Sequence, residues 1–268
     1  MPYIFSVNLS FALAVVLAFS TVVPLNSQDE NQAVCSTYSR CNELGTKALQ
    51  SGRVDEAIEI FKQQAALAEL ADIDRQTKSR DALLHSPYKL AVPAYNNLAL
   101  AYFKKHDYFW ARAWTDVALR WDKNNSAAQF NLRKIEQAVG TAKLPPTTAG
   151  GYVQYAGRGT WESFIIKPAS ESTIKFCFSG LWWGAAMEAP AGIGYLSATI
   201  PLHDNHAEYS TREFGDKECH ISMKFSAENM EVKQTGEDVD CGFGHNVTAN
   251  GTFERISSKA ECPEPEER

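Results

Sequence analysis

The sequence predicts an α+β protein of two domains: an N-terminal array of helical hairpins and a small C-terminal antiparallel β-barrel or sandwich. Three observations predict it. Apolar residues between Cys41 and Val139 recur at helical intervals, and the pattern restarts 34 positions on, Asn97-Leu98 answering to Asn131-Leu132. A proline- and glycine-punctuated stretch follows, residues 140–151, with the composition of a linker. Beyond it the apolar period shifts to two: Cys219, Ile221, Met223 and Phe225 share one face of a strand, and His220, Ser222 and Lys224 the other.

At 268 residues the chain has room for both domains, and a hydrophobic content of 44% is enough to give each a core. The formal net charge of −6, with no basic patch, argues against nucleic acid as a partner, because phosphate neutralisation needs clustered Lys and Arg. Residues 1–27 read as a signal peptide. The apolar block Phe11–Phe19 is too short to span a bilayer and gives way to Pro24 and a polar stretch. No Lys or Arg precedes the block, so an uncleaved membrane anchor is the alternative. The expected location is periplasmic or secreted. All six cysteines, at 35, 41, 177, 219, 241 and 262, lie after this segment. In an exported chain they imply disulfides, with fifteen full pairings open.

The helical domain is expected over residues 29–139. Asn42–Gln50 and Val54–Ala71 form a first helical pair around the turn Ser51-Gly52. An insertion over residues 65–92 follows, in which Arg75–Asp81 is charged and carries no buried stripe, and Pro87 and Pro93 stop helical runs. The second pair starts at Pro93 and breaks at Lys104-Lys105-His106-Asp107. Trp110, Trp114 and Trp121, four and seven apart, lie on one side of its second helix. They are expected to pack against the insertion or the C-terminal domain; an aromatic platform for a ligand is the alternative.

This segment resembles the tetratricopeptide repeats, helix-turn-helix units of ~34 residues. Gly45/Ala57 and Ala99/Ala111 match the family's small packing positions, each pair twelve apart. Thr115, His106 and Lys123 depart from it, standing where an aromatic, a turn glycine and a proline are usual. From Leu44 to Leu98 is 54 positions, one repeat plus the insertion. The resemblance implies a concave groove that binds peptides or protein segments. Carried onto matching positions, the groove comprises Asn42, Thr46 and Leu49, then Asn96, Leu100 and Phe103, closed by Phe130 and Lys134. Asn side chains pair with an extended ligand's backbone, and Leu100 and Phe103 supply apolar area. The functional expectation is a non-catalytic protein- or peptide-binding adaptor with no cofactor and no metal.

The β domain is expected over residues 152–257, with strands near Trp161–Lys167, Ile174–Phe178, Leu196–Ile200, Ala207–Thr211, Cys219–Phe225, Met230–Lys233 and Thr252–Ile256. Gly192-Ile193-Gly194 and Gly242-Phe243-Gly244 read as turns rather than phosphate loops, since no Lys-Thr pair follows either. The adjacent Trp182 and Trp183 point to opposite sides, so one is hard to bury. Residues 258–268 read as a solvated acidic tail. The ending Asp240–Phe253 resembles the last turn and strand of small exported bacterial β-domains grouped with lysozyme inhibitors. That resemblance implies a Cys219–Cys241 disulfide and, as a rival function, inhibition of a cell-wall hydrolase. Cys177 with Cys262, and Cys35 with Cys41, remain open pairings. The latter is excluded if both members lie in one regular helix, where their Cα atoms are too far apart. A second rival is a metal-dependent enzyme using His203, His206 and Glu208, although their spacing is not that of the helical His-Glu-x-x-His site.

Overall fold

The computed structural model describes residues 35–78, 89–142, 144, 147–184, 191–259 and 261–262. The signal peptide expected over residues 1–27 and the end of the expected acidic tail lie outside the described residues. Among the described residues are five α-helices followed by eight strands, an α+β layout in two parts.

Helix α1 (Tyr38–Gln50) starts at Thr37, whose hydroxyl accepts the Arg40 N–H at 3.3 Å. The turn Ser51-Gly52-Arg53 then sends the chain into α2 (Val54–Lys78), with Gly52 at φ 80. The α1/α2 approach is set by Gly45. A Cβ there would lie 2.4 Å from the Phe61 ring, so any larger residue would push the helices apart. Helix α2 runs past the predicted end at Ala71 and takes up the first part of the insertion. A 3-10 turn, Lys89–Ala91, is tied back to it by the Leu90 N–H, which donates to Asp72 Oδ2 at 3.1 Å.

Helices α3 (Val92–Lys104) and α4 (Tyr108–Trp121) pack on each other, and α5 (Ser126–Ala142) packs on α4. His106 adopts φ 62 between α3 and α4, and its Nδ1 lies 2.8 Å from Tyr108 Oη. Asp107 caps α4 through the Trp110 N–H, and Asn125 caps α5 through the Ala128 N–H at 3.0 Å. Ala48, Ala57, Ala99, Ala111 and Ala118 are fully buried between the helices with Phe61, Tyr95 and Leu98.

The eight strands are β1 (Gly150–Gly157), β2 (Thr160–Pro168), β3 (Thr173–Trp182), β4 (Gly192–His203), β5 (His206–Thr211), β6 (Cys219–Phe225), β7 (Asn229–Thr235) and β8 (Gly251–Ser257). Each pairs antiparallel with its sequence neighbour, and β1 closes on β8, so the sheet is a barrel with no free edge. Its interior is filled by Phe164, Phe176, Phe178, Ile221, Met223, Met230 and Phe253. Phe164 touches Phe178 and Phe253 with ring centroids 4.7 and 4.9 Å apart.

One barrel end is closed by the chain that follows Cys241. Val247 and Phe243 occupy the space where side chains at Gly180 and Gly194 would stand: a Cβ on Gly194 would meet Val247 Cγ1 at 2.8 Å and Phe243 Cδ1 at 2.9 Å. Gly192-Ile193-Gly194 is therefore strand, not the turn its glycines predict. The glycines make room for the plug.

Three disulfides join Cys35–Cys41, Cys177–Cys262 and Cys219–Cys241. Cys35 precedes α1 while Cys41 lies in it, which brings their Cα atoms to 5.1 Å. Three bridges are what an oxidising, extracellular environment permits. Among the described residues no helix is long and apolar enough to cross a membrane.

Candidate functional site

Helix α3 buries Ala94, Tyr95, Leu98, Ala99, Ala101 and Tyr102, which leaves Asn96, Leu100 and Phe103 together on its remaining side at intervals of four and three. Leu100 is 40% exposed, and Phe103 is half-buried against the Tyr108 ring at 5.4 Å. Asn96 donates from Nδ2 to Asn125 Oδ1 at 3.1 Å, which ties α3 to the start of α5. Its Oδ1 is buried with no hydrogen-bond partner among the described residues.

Helix α5 directs Ala128 and Ile135 inward and leaves Phe130 outside, 50% exposed. Lys134 Nζ lies 4.5 Å from the Phe130 ring centroid, and the Arg133 guanidinium 6.0 Å. An exposed cation–π contact of this kind is worth about 0.5–1 kcal/mol, enough to orient the ring without hiding it.

The α1 positions divide. Asn42 is exposed, but its Oδ1 already accepts from Gln64 Nε2 at 3.3 Å and Asn97 Nδ2 at 3.0 Å. Thr46 is half-buried. Leu49 is 7% exposed and packs into the helical core, so it offers no surface to a ligand.

The other side of the array is covered by the barrel. Trp110 and Trp114 of α4 meet Trp161 of β2 edge-on at 5.1 and 4.9 Å, and Tyr155 of β1 packs on Tyr95 and Trp114. These tryptophans therefore join the two parts instead of forming a platform. Beneath them sits Glu69, 1% exposed, which accepts from Tyr95 Oη at 2.8 Å, from Tyr155 Oη, and from the Arg158 N–H at 2.5 Å. Burial pushes its carboxyl above the usual range, and these three hydrogen bonds oppose the shift. Arg112 of α4, 7% exposed, donates to the Glu228 and Arg255 carbonyls of the barrel at 3.3 and 3.5 Å. Asp116, one turn on, is pushed up to about 7, first by burial and then by Glu254, against Arg112 and Arg120.

On the barrel, His203 and His206 face each other across a tight turn in which Asp204 and Asn205 have φ 48 and 61. His206 Nε2 lies 2.9 Å from Ser222 Oγ and 3.7 Å from Glu208 Oε1. Both contacts use the same ring nitrogen, which is not the arrangement of a serine–histidine–acid relay. The second oxygen of Glu208 faces His220 at 3.8 Å. Among the described residues no three His, Cys, Asp or Glu side chains are grouped to hold a metal.

Glu69 and Asp116 were not singled out in the sequence. Nor was Glu162, which points into the barrel at 6% exposure, accepts the Leu181 N–H at 3.3 Å, and is pushed up to about 7 by burial. Strand alternation places Glu162 on the same face as Phe164 and Ile166, and that inward polar position was the available signal.

Comparison with protein-family models, curated proteins and solved structures finds no match for this chain.

Proposed function

We propose that this protein is an exported, non-catalytic binding protein whose tetratricopeptide-like helices take a peptide or protein segment on the face carrying Asn96, Leu100, Phe103 and Phe130. One observation carries the reading. The helical array buries its second-helix side against the barrel, yet leaves Leu100 and Phe130 exposed at 40% and 50% on the opposite helices. Exposed large apolar groups on an otherwise covered array have a use in contact with a partner. The barrel acts in this reading as a brace that fixes α2 and α4, so that the binding face is rigid before the ligand arrives.

The experiment is selection of a displayed peptide library on the oxidised full chain, followed by affinity measurement with Leu100→Ser/Phe130→Ser. The reading expects selected peptides whose affinity falls at least tenfold in the double variant. Peptides that bind the variant equally well would contradict it.

A further inference from the structure

We infer a second docking surface, on the plugged end of the barrel, that fits a cationic segment of a partner protein bearing apolar side chains. Among the described residues six large apolar side chains are exposed, and four of them, Ile193, Tyr195, Phe214 and Val239, belong to the barrel. Three are held against one short stretch of backbone. The Gly244 N–H donates to the Ile193 carbonyl at 2.9 Å, and the Gly242 N–H to the Val239 carbonyl at 3.2 Å. The Phe214 ring lies over Gly242, where a Cβ would stand 2.9 Å from it. Tyr195 follows Ile193 on the outer face of β4. Side chains exposed between 49% and 60% and gathered on one rim form a patch, unlike single exposed residues scattered over a surface.

The rim is rigid. The Cys219–Cys241 disulfide fixes its base. Asp240 accepts the Lys217 and Glu237 N–H groups at 3.1 and 2.9 Å, and Asp238 accepts the Val239 N–H at 2.8 Å. A preformed apolar patch loses little conformational freedom when covered.

Charge names the partner. The segments Arg212–Glu218 and Glu237–Asp240 carry six carboxylates against two cations. Both cations are already engaged: Arg212 with Glu218 at 3.7 Å and Lys217 with Glu237 at 3.1 Å. Glu213 and Asp216 stand exposed beside Phe214. An acidic rim around an apolar centre repels acidic chains and attracts basic ones. The helical face differs in sign, since α3 and α5 together carry Lys104, Arg133 and Lys134 against Glu136 alone. This inference rests on the barrel and stands whether or not the helical groove binds peptide.

The test uses the oxidised full chain and three fluorescein-labelled peptides with identical Leu and Trp positions and Lys, Ser or Glu between them. Anisotropy should rank binding Lys over Ser over Glu, with the Lys peptide weakening as salt is raised. Phe214→Ser/Val239→Ser should lose at least tenfold for the Lys peptide, and Glu213→Lys/Asp216→Lys should reverse the order. Failure of all three peptides to bind, an order independent of charge, or binding that survives Phe214→Ser/Val239→Ser would overturn the inference. So would self-association lost in that same variant, since a second copy would then be the occupant.

Discussion

Glu69 of α2 accepts the phenolic proton of Tyr155 of β1, a hydrogen bond between residues 86 positions apart that joins the helical array to the barrel. Tyr95 and the Arg158 N–H complete the set of donors, so one buried carboxylate satisfies groups from α3, β1 and the turn after β1. Removing one partner of such a set leaves the others buried and unpaired. Glu69→Leu is expected to cost about 2–4 kcal/mol and Tyr155→Phe about 1 kcal/mol, read from urea midpoints at constant slope.

The stability that Asp116 and Glu162 contribute should fall as pH rises from acid to neutral. Asp116 and Glu162 are each pushed up to about 7 in the folded chain. Folding therefore takes up protons that the unfolded chain releases near pH 4. The contribution of these groups is fully present below their unfolded values and is lost as pH passes up to about 7. Asp116→Asn and Glu162→Gln should each stabilise the protein by up to about 3–4 kcal/mol at pH 8 and by little at pH 4. Thermal melts across that range check the sign.

The barrel plug rests on missing side chains. Gly180→Ala places a methyl 2.6 Å from Val247 Cγ1 and 2.5 Å from Phe178 Cζ, an overpacking expected to cost about 1–3 kcal/mol. Val247→Ala should relieve part of it, and a double-mutant cycle measures the coupling. A strictly additive cycle would mean that the plug does not seat against Gly180.

The disulfides should matter in order of the chain they close. Cys177–Cys262, Cys219–Cys241 and Cys35–Cys41 are separated by 85, 22 and 6 positions. Loop-closure entropy then gives about 4.5, 3.5 and 2.5 kcal/mol. Pairwise Cys→Ser variants should show that ranking in melting temperature, at roughly 2–4 °C per kcal/mol.

What the sequence revealed follows from which faces are covered. Helix α1 and strands such as Cys219–Phe225 bury one side only, so their periods of 3.6 and two stand out in the residue order. Strand β1 does not, because Tyr152 fills the barrel while Val153 is also buried, and both sides are apolar. The Gly192–Gly194 half of β4 looked like a turn because the residues that fill its space, Phe243 and Val247, come about 50 positions later. Leu49 is a groove position by the tetratricopeptide resemblance but a core position by packing. Glu69 looked like any polar residue late in a helix, since its partners, Tyr95 and Tyr155, are 26 and 86 positions away.

Hydrogen exchange on the full chain, with and without a library-selected peptide, tests the binding face most directly. The account predicts slowed exchange in Val92–Lys104 and Ser126–Ala142, with the barrel strands unchanged. Protection confined to the barrel, or absent from both helices at saturating peptide, would contradict it.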